Sequence, residues 1–148
     1  MRQMWFLVAD NGRARVVEYR LPDKAWQEVA CFDNPDAHLP VHEIARDRPP
    51  RVDESAAPGH HAIEPHTTPR EKTAQQFARQ LGDFLLKAAQ ENRYDKLVLV
   101  SPPRFLGVLR EHLDEACKAR LWDELQHDYT TLTFEELRDR LAKLELKF

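Results

Sequence analysis

At 148 residues the chain can form one domain that buries about 70% of the surface its unfolded form exposes. Hydrophobic residues at 42% beside 32% charged place it outside the composition of disordered proteins, and a net charge of −3 argues against a general polyanion binder built on many clustered Lys and Arg. No apolar run is long enough to span a membrane, and the start, MRQMWFLVAD, lacks the long apolar region of a secretory leader, so a cytoplasmic address and no membrane partner are expected.

In chain order, MWFLVA at 4–9 and ARVVEY at 14–19 read as strands joined through Asp10, Asn11 and Gly12, a hairpin signal because Asn-Gly tolerates the positive φ of tight turns. A third strand, 25–32, follows the turn at Leu21, Pro22 and Asp23. From Asn34 to Thr68 the pattern is lost, and six of the ten prolines and five of the seven histidines fall there. A loop this long within a compact domain is usually functional or disordered, apart from a short helical turn expected near 40–46.

Regular structure resumes at TTPREK. Thr68 reads as an N-cap with Pro69 at the first helical position and Glu71 completing a capping-box pattern. Ala74, Phe77, Ala78, Leu81, Phe84, Leu85 and Ala88 then recur at helical steps, an amphipathic helix of about five turns. KLVLVS at 96–101 is apolar at four consecutive positions, the mark of a central strand covered on both faces. Proline cannot donate to a sheet ladder but suits a helix's first turn, so the strand should convert at Pro102 into a helix capped by Ser101, with Phe105, Leu106, Leu109 and Leu113 facing the core. Gly107 inside that helix costs stability relative to Ala, for which close packing against a neighbour is one explanation. A short strand at 120–126 and a helix capped by Thr133 and Glu136, apolar at Leu137, Leu141 and Leu144, complete the order β-β-β-α-β-α-β-α. The expected architecture is a single α/β domain, with a mixed five-stranded sheet and helices on its faces. Cys31 and Cys117, far apart and outside any ligand spacing, read as small core residues rather than as a disulfide or zinc site.

The element order resembles the ribonuclease-H-like topology of the middle domain of eukaryotic and archaeal peptide-chain release factors. WFLVADNGRARVVEY, EIARDRPPR, GHHAIEPHTTPREKTAQQFARQL and LVLVSPPRFLGVLREHL together resemble the bacterial host attachment protein family over nearly the whole chain. The resemblance implies a small bacterial protein related to release-factor middle domains, with no settled activity. In the release factors, peptidyl-tRNA hydrolysis uses a Gly-Gly-Gln tip. The matching loop here, 47–68, has one glycine, Gly59, and no glutamine, so release chemistry is not expected. Family members tend to carry glycine where this chain has Pro50, and proline's fixed φ gives that turn a different backbone.

Several residues offer chemistry. Asp10 sits where one metal-binding carboxylate of a ribonuclease-H-type nuclease would stand, but the central strand ends in Ser101 and Pro102 rather than an acid, and a turn role for Asp10 is simpler. His60, His61 and His66, with Glu64, could ligate a metal, though their spacing fits no established motif and solvated loop histidines are the plainer reading. Ser101 and Arg104 mark the strand-to-helix break, where open α/β sheets bind ligands. Prolines at 102 and 103 remove two amide donors there, which favours simple strand-to-helix punctuation. Arg46, Arg48 and Arg51 form a basic cluster able to contact RNA phosphates, with Asp47, Asp53 and Glu54 offsetting them and no stacking aromatic nearby. The expected role is a non-catalytic binding module without a cofactor, whose partner class, suggested by the resemblance, is the ribosome or structured RNA. The rivals are a metal-dependent hydrolase or nuclease built on Asp10 and the histidine loop, and a regulatory module that docks another protein through 34–68. Oligomeric state is not readable.

Overall fold

A computed structural model describes residues 2–38 and 69–144. Three strands come first: β1 (Arg2–Ala9), β2 (Arg13–Leu21) and β3 (Ala25–Asp33), followed by a single 3-10 turn at Pro35–His38. Helix α1 (Pro69–Gln90) leads to β4 (Lys96–Val100), α2 (Pro103–Glu111), the single turn α3 (Glu115–Lys118), β5 (Leu121–Leu125) and α4 (Phe134–Ala142). The expected order holds, with α3 as an addition: Asp114 caps it by accepting a hydrogen bond from the Ala116 amide.

The five strands form one mixed sheet in the order β3-β2-β1-β4-β5, with β2 antiparallel to both neighbours and β4 parallel to β1 and β5. That order is compatible with the ribonuclease-H-like expectation. The central position of β1 and β4 explains their unbroken apolar runs, because both faces of each strand are covered. Alternate residues serve two cores. Trp5, Leu7, Leu97 and Leu99 pack with Phe77, Leu81 and Leu85 of α1 and Phe105, Leu106 and Leu109 of α2. Met4, Phe6, Val8, Val98 and Val100 pack with Leu137 and Leu141 of α4. That last helix starts with the expected capping box, Thr133 accepting from the Glu136 amide and the Glu136 side chain accepting from the Thr133 amide.

Four expectations need correction. The Asp10–Arg13 turn closes without positive φ; among the described residues, positive φ occurs at Lys24 and Asn92. The turn is held instead by the Asp10 side chain. Ser101 caps nothing: α2 begins after Pro102, which has no side-chain cap, and the Ser101 hydroxyl donates at 3.3 Å to the Pro102 carbonyl. Gly107 meets no close neighbour among the described residues, where a Cβ would find nothing within 4 Å. The glycine that permits close packing is Gly82 in α1, where a Cβ would stand 2.3 Å from the His112 carbonyl oxygen. Finally, Cys117 is buried as expected, but Cys31 is exposed, because β3 is an edge strand and presents alternate residues to solvent.

Candidate functional site

Three segments meet at the carboxyl ends of β1 and β4: the β1–β2 turn, the first turns of α1 and the start of α2. Between them lies a cleft of about 540 Å³ lined by Asp10, Asn11, Arg70, Gln75, Arg104 and Phe105, together with Glu71, Ala74, Pro102 and Val108. The parallel pairing of β1 with β4 is what brings these ends together. The chain leaves β1 toward β2 and leaves β4 toward β5, on opposite sides, so the cleft sits where the connections part, the usual ligand position in open α/β sheets.

Asp10 is engaged by the fold. Its Oδ1 accepts from the Gly12 amide at 2.8 Å and the Arg13 amide at 2.9 Å, and its Oδ2 accepts from the Thr130 hydroxyl at 2.9 Å. The carboxylate thus replaces the backbone geometry that Asn-Gly was expected to supply and pins the 126–133 segment over the end of β1. Nearby, the Arg15 side chain donates to Glu28 Oε2 at 2.6 Å and to the Leu132 carbonyl, a second tie on the same segment. Among the described residues no group of three His, Cys, Asp or Glu side chains is placed to hold a metal.

The two cations of the cleft come from different helices. Arg70 is exposed in the first turn of α1 and donates at 3.4 Å to the Ala37 carbonyl. Arg104, also exposed, sits in the first turn of α2 and forms no ion pair among the described residues. By contrast Arg110, one face further along α2, donates to Glu124 at 2.6 Å, and that carboxylate raises its pKa. Of the cleft's acids, Asp10 is bonded as described and Glu71 is also engaged. The arrangement offers guanidinium donors to an anion beside an apolar wall of Ala74, Pro102, Phe105 and Val108. Pro69, Pro102 and Pro103 lack amide donors, which leaves fewer N–H groups at the two helix starts and gives the guanidinium side chains a larger part in any anion contact there.

Of the residues singled out from sequence, Arg104 lines the cleft, whereas Ser101 is fully buried beneath it and is not part of its lining. Arg46, Arg48, Arg51, His60, His61, Glu64 and His66 lie outside the described residues, as do the Thr68 cap and the helical turn expected near 40–46. Arg70, Asn11 and Gln75 were not anticipated. Arg70 carried one usable signal: it directly follows the proline that opens a helix, at the end of a long irregular stretch.

Fold and cleft define a single-sheet α/β protein with a ligand-sized recess at the carboxyl ends of its two central strands. The pattern of the family described as "Protein required for attachment to host cells" matches residues 5–141, and the chain belongs to this host attachment family. Curated proteins give no match. Among solved structures, one described as "Archaeal protein" is similar with a TM-score of 0.50 and 13% identity, over 97% of this chain and 34% of that one. The archaeal translation termination factor aRF1 gives a TM-score of 0.48 and 8% identity, over 95% of this chain and 38% of that one. This chain therefore spans little more than a third of either structure, and at 13% identity the likeness to the first is one of fold.

Proposed function

We propose that the protein is a non-catalytic binding module that docks RNA phosphates in the cleft between the starts of α1 and α2, with the ribosome or a structured RNA as its partner class. The observation that carries this reading is the placement of Arg70 and Arg104 on one cleft, with Arg104 outside any ion pair among the described residues while the cleft's acids are engaged. Guanidinium is the side chain best matched to phosphate, being planar, permanently charged and able to donate two parallel hydrogen bonds. The three protein donors on Asp10 support a positioning role in the fold for that residue rather than a catalytic one. By sequence, Arg46, Arg48 and Arg51 are the further cations this reading draws on.

Total tRNA titrated against the full chain at two salt concentrations tests it. The expected result is salt-sensitive binding that weakens about tenfold or more in the Arg70→Ala/Arg104→Ala double variant, with the salt slope reduced by about one per lost phosphate contact. Absence of RNA binding at low salt, or a double variant that binds as the parent does, overturns the reading.

A further inference from the structure

The cleft is more than a pair of cations. Its lining sets the guanidinium groups of Arg70 and Arg104 and an apolar wall of Ala74, Pro102, Phe105 and Val108 beside Asn11, Gln75 and two carboxylates, Asp10 and Glu71, that are already engaged within the fold. Phe105 is almost wholly buried, held near Phe77 at 6.1 Å between ring centroids, while Ala74, Pro102 and Val108 stay partly exposed and give the wall its accessible surface. A phosphate on its own gains nothing from such a wall, and a duplex backbone lying across the surface would not enter a recess. The volume, about 540 Å³, also falls within the range that encloses small organic ligands and far exceeds what a lone phosphate fills. Unpaired nucleotides present the matching chemistry, an ionised phosphate joined through a sugar to a flat face that favours apolar contact.

We infer that the cleft is a pocket for a single unpaired nucleotide, its phosphate held by Arg70 and Arg104 and its base laid against Ala74, Pro102 and Val108. The inference rests on the cleft being the phosphate-docking site proposed above and adds the class of unit it accepts. Polar selectivity within the pocket falls to Asn11 and to the Gln75 Nε2 amide, since Gln75 Oε1 is already taken by His112 Nε2 at 2.6 Å.

The test is calorimetric titration of the full chain with AMP, adenosine and inorganic phosphate, with backbone amide NMR shifts locating each ligand. AMP is expected to bind at least tenfold more tightly than either fragment and to shift Asn11, Arg70, Ala74, Arg104 and Val108. Arg104→Ala should weaken AMP and phosphate alike by about tenfold. Val108→Ala should weaken AMP several-fold while leaving phosphate unchanged, a split that a merely structural effect would not produce. Arg79→Ala, which removes an exposed α1 arginine outside the cleft lining, serves as the charge control and should change neither. Phosphate binding as tightly as AMP, or AMP shifts away from the cleft, overturns the inference. If tRNA binding depends on Arg70 and Arg104 while AMP does not bind, the nucleotide pocket fails and the RNA-docking reading stands. If AMP binds in the cleft and tRNA does not bind at all, the RNA-docking reading fails and the nucleotide pocket stands.

Discussion

Helices α1 and α2 start at the same end of the sheet, yet their two shared regions are built on opposite principles. At their first turns they hold a recess open, and the guanidinium of Arg104 sits there without an ion pair among the described residues. Further along they meet so closely that Gly82 admits no Cβ against the His112 carbonyl, and polar groups beyond this seam are engaged with one another. The Tyr94 hydroxyl donates to the Leu85 carbonyl at 2.9 Å and lies 3.4 Å from Cys117 Sγ. Arg120 donates to the Tyr94 carbonyl and lies over the Tyr94 ring, and the Asp95 carboxylate accepts from the Gln3 amide at 2.8 Å. Polar groups engaged with one another stabilise the fold, whereas a cation beside an open apolar wall has interactions left to make with a ligand. That contrast locates the site at the first turns of the helices rather than at the seam.

Gly82→Ala is the most forceful way to break the contrast. The new methyl must displace backbone rather than a flexible side chain, so a loss of about 1–3 kcal/mol is expected, measured by urea denaturation. A parent-like midpoint would mean the seam is not close-packed.

The seam also predicts a pH dependence. Burial, aided by the Asp114 charge, pushes the Cys117 thiol above its ordinary 9.0, and burial followed by the hydrogen bond with Cys117 pushes Tyr94 above its ordinary 10.0. Both groups are neutral when protonated, so above 9.0 the unfolded chain releases protons that the folded chain keeps. The unfolded state then binds fewer protons, and stability falls as pH rises, by at most about 1.4 kcal/mol per pH unit for each proton. Below 9.0 this contribution is fully present. Denaturation across this alkaline range should show the slope in the parent and a shallower one in Cys117→Ala; equal slopes would count against the buried thiol as its source.

Gly107→Ala is the smallest effect and has the opposite sign. With nothing among the described residues within 4 Å of the added methyl, the substitution removes glycine's backbone entropy cost within α2, and a gain of about 0.5–1 kcal/mol is expected in the same urea assay. A loss comparable to that of Gly82→Ala would erase the distinction between the two glycines.

The two glycines also show where reading the sequence stops. Both lie inside helical patterns, and each is equally suited to a close approach by its chemistry. Which one meets a neighbour depends on how two helices far apart in sequence are set against the sheet. Asp10 shows the same limit, since a turn role was legible but its bond to Thr130 joins residues from opposite ends of the chain. Within the cleft, Arg104 was legible because it stands at a strand-to-helix break. Arg70 was not, because its relevance comes only from its neighbour on another helix.

The sequence by itself determined the five strands, the helices other than α3, the two-faced burial of β4, the Thr133 capping box and membership of the host attachment family. These are local or periodic properties, written in residues a few positions apart. Tertiary structure alone decided that α1 and α2 open at their first turns and close at Gly82, that Ser101 is buried rather than capping, and that Arg70 joins Arg104 beside an apolar wall. Those outcomes depend on the parallel pairing of β1 with β4, and a long-range pairing of that kind leaves no periodic trace in either strand.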